Sequence, residues 1–239
     1  MLIQLDKVTK RFGAVVVADG LDIALTDGEA LGVLGPNGAG KSTMFNLITG
    51  GLRPDSGRIR FDGHDITGLK PHVRCRMGIG RSYQIPHPFA KMTVFENLLV
   101  GAAFGTGAAE REIHELCGQV LERTGLLDKA NVPAGRLTLL ERKRLELARA
   151  LATRPRVLLL DEIAGGLTEG ECRELVAAIT AVRAEGVSII WIEHVVHALL
   201  SVVDRLVVIN FGRLLAEGAP DTVMADPKVR EVYMGIAAE

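Results

Sequence analysis

The chain has 239 residues, enough for one large domain or a domain with an insertion, and its 48% apolar residues and 27 glycines are typical of an α/β protein. Its 28 basic and 29 acidic residues give a net charge of -1, which provides no overall electrostatic reason to bind nucleic acid or anionic lipid. The 3 cysteines show no C-x-x-C spacing, the first residues are charged too early for a signal peptide, and no apolar run reaches the roughly 18 residues of a membrane helix.

The opening third alternates apolar and polar residues, which predicts antiparallel strands joined by Asp-Gly turns. Leu21, Ile23 and Leu25 precede the turn TDGE, and RIRF at 58–61 runs into DGHD. A short apolar strand at 30–34 then leads into GPNGAGKST, and the residues directly after that loop predict a helix.

Helical spacing dominates residues 91–153, which we interpret as a helical insertion. Strands return at 157–161, 187–192 and 205–210, and a helix is predicted between the first two. Such alternation implies a mostly parallel sheet covered by helices. The tail at 219–239 predicts one or two short helices.

Residues 35–42 fit the phosphate-binding pattern G-x-x-x-x-G-K-[ST], and they follow a buried strand and precede a helix, as the mechanism requires. Glycines let the backbone wrap closely around a phosphate, and the following helix adds the positive end of its dipole. Lys41 is expected to reach the β- and γ-phosphates and Ser42 to bind Mg²⁺. The predicted nucleotide contacts are Gly35, Pro36, Asn37, Gly38, Ala39, Gly40, Lys41, Ser42 and Thr43. The alternative is a glycine-rich turn that only caps a helix.

The apolar strand at 157–161 ends in Asp161, which places a carboxylate at the edge of the sheet where open α/β proteins bind ligands. Asp161 is expected to bind Mg²⁺, and the neighbouring Glu162 to act as the general base that activates water. Alternatively, these acids only end a strand or begin a helix.

In order and over nearly the whole chain, these motifs resemble those of the ATP-binding subunits of ABC transporters. The resemblance implies an α/β P-loop NTPase fold of ABC type, with a mostly parallel core sheet, an antiparallel β subdomain and an inserted helical subdomain. It identifies Phe12 in KRFG with the aromatic that stacks on adenine and His194 in WIEHVV with the switch histidine. Gln84 in RSYQ corresponds to the loop glutamine that senses the γ-phosphate, faces the membrane partner and is a further expected Mg²⁺ ligand.

The resemblance also predicts one ABC ATPase domain. Its α/β core covers 1–90 and 154–218, its helical subdomain 91–153, and its short helical tail 219–239. The stretches RSYQIPHPFAKMTVFENLLVG, DEIAGGLTEGE and REVYMG are most similar to the ATPase subunits of branched-chain amino-acid importers and their relatives for amides and urea.

The signature segment, LTLLE at residues 137–141, departs from the family's Leu-Ser-Gly-Gly-Gln, which contacts the γ-phosphate of ATP on the other subunit. Thr138 and Glu141 have the spacing of a helix capping box, which explains both polar residues without a ligand. The two leucines would cost about 1–2 kcal/mol if the backbone had to be left-handed. Either Thr138 and the helix amides still contact ATP, which we favour, or the segment supports the partner's ATP poorly.

Two further departures follow the second motif: Ile163 stands where many relatives have proline, and Thr168 where many have aspartate or asparagine. In the helix after the signature segment, the pattern divides an apolar half from a polar half that contains Arg142, Lys143, Glu146 and Arg149. His194 and His197 lie three apart on a predicted helix, but no acidic or cysteine cluster accompanies them to indicate a metal site.

We therefore predict an importer ATPase that closes as a dimer on Mg-ATP and reopens after hydrolysis. The expected catalytic residues are Glu162, His194, Gln84 and Lys41. The expected partners are transmembrane permease subunits contacting residues 84–101, a second ATPase subunit and, indirectly, a solute-binding protein, with no nucleic acid. The expected location is the cytoplasmic face of a bacterial inner membrane, as a peripheral protein. The alternatives are a soluble ABC-type ATPase acting on DNA or ribosomes, and a poorly hydrolysing ATP sensor.

Overall fold

The structure is a computed structural model that describes residues 1–234. In chain order its elements are β1 (Ile3–Phe12), β2 (Val15–Leu25), β3 (Ala30–Leu34), α1 (Lys41–Thr49), β4 (Ser56–Phe61), β5 (His64–Asp65), α2 (Pro71–Arg76), β6 (Ile79–Arg81), α3 (Val94–Thr106), α4 (Glu110–Arg123), α5 (Leu139–Leu151), β7 (Val157–Asp161), α6 (Glu169–Ala184), β8 (Ser188–Ile192), α7 (Val196–Leu200), β9 (Arg205–Asn210), β10 (Arg213–Gly218), α8 (Pro220–Ala225) and α9 (Pro227–Met234). Two short 3₁₀ helices, Leu127–Lys129 and Ala134–Arg136, lie between α4 and α5.

A four-stranded antiparallel sheet has the order β2-β1-β4-β5. The predicted Asp-Gly hairpin is confirmed between β4 and β5, where Asp62 and Gly63 both have positive φ angles (50° and 77°). The TDGE turn is also present, but it links β2 to β3 in the other sheet rather than joining two antiparallel partners.

A six-stranded sheet has the order β10-β9-β3-β8-β7-β6 and is parallel except for β10, which pairs antiparallel with β9. Every residue of β3, β7 and β8 is buried. Strands buried on both faces read as continuous apolar runs, which is why the sequence pattern identified them. The predicted fold class is confirmed.

Each face of this sheet packs against a different layer. Leu31 and Val33 of β3 pack with the antiparallel sheet and α1, whereas Ala30 and Leu34 pack with the helices α3 to α7. Because successive side chains of a strand point to opposite faces, one short strand contributes to both cores. The phosphate loop that follows β3 is therefore fixed from both sides.

One sequence prediction is wrong in detail. His194 and His197 do not share a helix, because α7 begins at Val196 and His194 lies in the segment between β8 and α7. On the polar half of α5, Arg142 is exposed, but Lys143 and Glu146 are each only 4% exposed. Both side chains pack against the loop after β6 instead of facing solvent.

The predicted tail helices are present as α8 and α9, and the prediction for 235–239 lies outside the described residues. Within residues 1–234, no helix is both long and apolar enough to cross a membrane.

Candidate functional site

The phosphate loop runs from the end of β3 to the start of α1 and is packed against neighbouring backbone. Gly40 has a φ of 104°, and a Cβ atom there would lie 2.2 Å from the carbonyl oxygen of Val17 in β2. A Cβ on Gly35 would lie 2.2 Å from the carbonyl oxygen of Ile209 in β9. The N–H of Gly212 donates to the Ala39 carbonyl (2.9 Å), which ties the loop to the β9–β10 turn. Only glycine fits the two tight positions.

Lys41 begins α1 and turns its side chain back beneath the loop. Its Nζ donates to the carbonyl oxygens of Gly35 (2.6 Å) and Pro36 (3.0 Å), and the residue is 6% exposed. Burial lowers the pKa of Lys41, although the carboxylates of Glu162 and Asp161 oppose that effect. The cation therefore lies at the loop with oxygen partners that a phosphate can replace. Around it, the cleft is lined by Val17, Asn37, Gly38, Ala39, Gly40, Lys41, Ser42, Thr43 and Glu162.

Asp161 ends β7 and is 5% exposed. Its Oδ2 accepts from Nη2 of Arg81 (2.7 Å), and Nη1 of Arg81 donates to Asn46 of α1 (2.6 Å). Sequence reasoning missed Arg81, although it stands three residues before Gln84 in the same motif. The guanidinium balances a buried carboxylate that would otherwise be unpaired.

The Glu162 side chain contacts both Gln84 and His194, so three predicted site residues from distant segments of the chain meet at one place. Its Oε2 accepts from Nε2 of Gln84 (2.5 Å), and its Oε1 accepts from Nε2 of His194 (2.9 Å). The φ angle of Glu162 is 46°, a conformation that non-glycine residues adopt rarely and mostly where the surroundings impose it. These three side chains line one cleft with Gly35, Pro36 and Asn37 of the phosphate loop.

Glu193 is a further residue that the sequence did not reveal. It is 1% exposed, and its Oε2 accepts from the N–H of Ala164 (2.9 Å) while its Oε1 accepts from the N–H groups of His194 and Val195 (2.8 and 3.3 Å). A buried carboxylate with three donors holds the segments after β7 and β8 together. The available signal was an acid directly following an apolar strand.

Phe12 ends β1 and is not among the residues that line the loop cleft. It is 51% exposed, and Nζ of Lys10 lies 5.7 Å from its ring centroid. An exposed aromatic ring at the end of a strand of the antiparallel sheet is available for stacking.

The signature segment forms the predicted capping box at the start of α5. The N–H of Thr138 donates to Glu141 (2.8 Å), and the N–H of Glu141 donates to Oγ1 of Thr138 (3.3 Å). Leu139 and Leu140 are ordinary helical residues, so the strain expected for a left-handed backbone does not arise. The Glu141 carboxylate accepts from the Thr138 N–H of the cap and lies 3.5 Å from Nζ of Lys129, so its negative charge is paired.

The two departures after Asp161 also have local roles. Ile163 is fully buried in the core beneath the helices. Thr168 caps α6, because its Oγ1 accepts from the N–H of Glu171 (3.3 Å) while the Glu171 side chain accepts from the N–H of Thr168 (2.9 Å). In the described part of the chain, no group of three or more His, Cys, Asp or Glu side chains is placed to hold a metal ion.

A phosphate loop between a buried strand and a helix, faced by two acids at the end of a parallel strand, defines a P-loop nucleotide-binding protein. Residues 18–165 match the ABC transporter family, and residues 213–239 match the family of branched-chain amino acid ATP-binding cassette transporters.

Known relatives extend this similarity to the whole chain. The high-affinity branched-chain amino acid transport ATP-binding protein BraF of Pseudomonas aeruginosa is 38% identical, over 99% of this chain and 98% of its own length. The high-affinity branched-chain amino acid transport ATP-binding protein LivG of Escherichia coli is 35% identical, over 99% of this chain and 98% of its own length. Crystal structures of ATP-binding cassettes from ABC transporters, one nucleotide-free and one in the ADP conformation, superpose with TM-scores of 0.90 at 33% identity, covering 98% of this chain and 99% of theirs.

The chain therefore belongs to the ABC transporter family and is an ATP-binding, ABC-type ATPase. The resemblance inferred from the sequence is confirmed.

Proposed function

We propose that this chain is the ATP-hydrolysing subunit of an importer for branched-chain amino acids or related small amide solutes. The names of the relatives, which describe branched-chain amino acid transport, support this substrate class. The observation that carries the hydrolytic role is the Glu162 carboxylate, held between Gln84 and His194 at the mouth of the phosphate cleft.

The arrangement supports direct attack of water on the γ-phosphorus of ATP. Glu162 accepts a proton from the attacking water while the bond from the γ-phosphorus to the bridging oxygen of ADP breaks, so that the products are ADP and inorganic phosphate. With ATP bound, Lys41 and His194 would supply N–H donors to the γ-phosphate oxygens, where negative charge grows. Gln84 holds Glu162 in register with the cleft.

The residues at the cleft also suit Mg²⁺, which prefers oxygen ligands. The Ser42 hydroxyl and the side-chain carbonyl of Gln84 supply such oxygens at the cleft, and the nearly buried Asp161 carboxylate, next to Glu162 in the chain, is a third. The Arg81 guanidinium already pairs with the Asp161 carboxylate, so a cation that binds there would share this carboxylate with Arg81. When bound, Mg²⁺ would supply charge neutralisation across the β- and γ-phosphates.

We further propose that ATP is held between two ATPase subunits, with the adenine stacked on Phe12 and the signature segment of the second subunit against the γ-phosphate. Thr138 is the N-cap residue of α5, so its hydroxyl and the first amides of that helix lie at the same end of α5. The N-terminal end of α5 also favours an anion.

The exposed apolar residues near Gln84 support docking of membrane subunits at residues 84–101. Tyr83, Ile85 and Phe89, which flank Gln84 in the chain, are 55%, 63% and 45% exposed, and exposed apolar side chains of this kind are typical of an interaction site. With permease subunits bound there, the chain would be a peripheral protein at the cytoplasmic face of the inner membrane. A separate solute-binding protein would then select the solute.

Hydrolysis is tested by phosphate release from the purified full-length chain, alone and assembled with its membrane subunits. Glu162→Gln is expected to lower kcat by about 100-fold or more, because general-base catalysis contributes at least that much, while ATP binding persists. Glu169→Gln, at an exposed acid of α6, is the matched control and should behave as wild type. Equal rates in Glu162→Gln and wild type would exclude the assigned base, and no turnover in any assembled form would favour the ATP sensor.

The substrate class is tested by uptake in cells that lack this gene. Deletion is expected to abolish high-affinity uptake of leucine, isoleucine and valine, and the wild-type gene but not Glu162→Gln should restore it. Urea and short amides are measured in parallel. Loss of their uptake alone would move the assignment to the amide branch, and unchanged uptake of all of them would contradict the importer role.

A further inference from the structure

Lys143 links the helix of the signature segment to the two loops that carry the catalytic side chains. It lies in the first turns of α5 and is 4% exposed. Its Nζ donates to the carbonyl oxygen of Gln84 (2.9 Å) and to the carbonyl oxygen of Glu162 (3.3 Å). One ammonium group therefore joins α5, the loop after β6 and the segment after β7.

Glu162 and Gln84 are therefore connected through both their side chains and their backbones. Their side chains are bonded to each other, and Lys143 bonds both of their backbone carbonyls. The N–H of Glu162 donates to the carbonyl of Ile192 (2.8 Å), so the rare positive-φ conformation of Glu162 is held on its amide side by β8 and on its carbonyl side by Lys143. A residue in such a conformation persists only when its surroundings impose it.

Burying the Lys143 ammonium group costs free energy, because the charge loses its contact with water. Burial lowers the pKa of Lys143, and the acids Glu193, Glu162 and Glu146 oppose that effect. An apolar side chain of similar length would avoid the cost of burying the charge, but it would leave the two partly buried carbonyl oxygens without this donor. The cation is thus tied to the geometry of the two loops rather than to packing alone.

We propose that Lys143 is a positioning residue for ATP hydrolysis: by bonding both carbonyls it sets the Glu162 carboxylate against the Gln84 amide and makes both depend on the placement of α5. This inference rests on the proposed role of Glu162 as the base. Because α5 begins within the signature segment, Lys143 connects that segment directly to the catalytic acid of the same subunit.

Steady-state hydrolysis by the full-length chain tests the proposal. Lys143→Met is expected to lower kcat by about 10- to 100-fold, the effect of a small misplacement of a catalytic group, while KM for ATP stays within about threefold of wild type. Arg142→Met removes an exposed cation from the same helix, whose guanidinium donates to the Gly135 carbonyl, and should leave both constants unchanged. If Lys143→Met does not fold, as judged by circular dichroism, Lys143→Gln carries the same test.

A double-mutant cycle separates positioning from general damage. In the Glu162→Gln background, Lys143→Met is expected to cause no further loss of single-turnover rate, because its effect passes through the missing carboxylate. Multiplicative losses, or a folded Lys143→Met with the kcat of wild type, would overturn the assignment of Lys143 while leaving that of Glu162 intact. Full activity of Glu162→Gln would instead overturn the proposed base itself.

Discussion

The phosphate loop depends on single glycines at positions that no side chain can occupy. At Gly40 the cause is double: the φ angle of 104° is unfavourable for other residues, and the Val17 carbonyl would lie 2.2 Å from a Cβ atom. The obstructing atom belongs to the backbone of β2, so it cannot rotate away as a side chain would. The loop conformation and the packing of the two sheets are therefore linked through one residue.

Gly40→Ala is accordingly expected to weaken ATP binding by more than about 10-fold, since the strain of about 1–2 kcal/mol and the displaced backbone both act on the amides that hold phosphate. Titration with a fluorescent ATP analogue measures this. Gly186→Ala is the control, because Gly186 also has a positive φ (91°) but no atom within 4 Å of an added Cβ. It should lose some stability and bind ATP normally. Equal affinity of both variants would contradict the steric argument.

At the scale of elements, capping boxes start three of the helices: α3 at Thr93, α5 at Thr138 and α6 at Thr168. Their Thr-x-x-Glu spacing satisfies otherwise unpaired N–H groups, so these helix starts are determined by a few adjacent residues. In α5 the Thr138 N–H, followed by the Thr138 hydroxyl and Lys129, holds the pKa of Glu141 below its usual value of 4.5. The carboxylate therefore stabilises the folded state when it is charged.

Thr138→Ala is expected to lower the free energy of unfolding by about 1 kcal/mol at pH 7. Because the folded pKa of Glu141 is depressed, its contribution is fully present above pH 4.5 and is lost as the pH falls through the folded value. The stability difference between wild type and Glu141→Ala should therefore shrink in acid, as measured by urea unfolding at several pH values. Thr180→Ala, inside α6, serves as control and should be nearly neutral. A difference that grows in acid would refute the cap.

At the scale of the whole molecule, two arginines connect the antiparallel sheet to the parallel one. Arg205 of β9 donates to Glu29 (2.6 Å) and to the Ala24 carbonyl of β2 (2.5 Å), with its side chain 23% exposed. Arg156 joins Asp62 of the β4–β5 turn (2.6 Å), but it is 44% exposed. The partly buried link keeps more of its electrostatic strength because water screens it less.

Arg205→Met is expected to lower the free energy of unfolding by about 2–3 kcal/mol, because it leaves the Glu29 carboxylate partly buried without its cation. Arg156→Met, which also removes a connection between the sheets, should cost less than about 1 kcal/mol. Urea unfolding of both variants gives the comparison. Equal losses would show that burial does not determine how much each arginine contributes to the free energy of unfolding.

The sequence by itself determined the features that depend on neighbouring residues. Buried strands appear as apolar runs, the phosphate loop as glycines before Lys41, and the helix starts as capping boxes, because each pattern is complete within about ten residues. The nucleotide-binding class and the ABC resemblance followed from those patterns and their order. The division into core, helical subdomain and tail, and the roles of the site residues, stay predictions.

Only the tertiary structure decided which distant groups meet. The sequence pattern predicts Lys143 on a polar helix face and His194 on a helix, and it does not mark Arg81 or Glu193. Their partners lie 59 residues away for Lys143 and Gln84, 80 for Arg81 and Asp161, 29 for Glu193 and Ala164, and 32 for His194 and Glu162. A helical pattern shows which residues share a face but not what covers that face, so a buried charge and a solvated one look alike until the chain is folded.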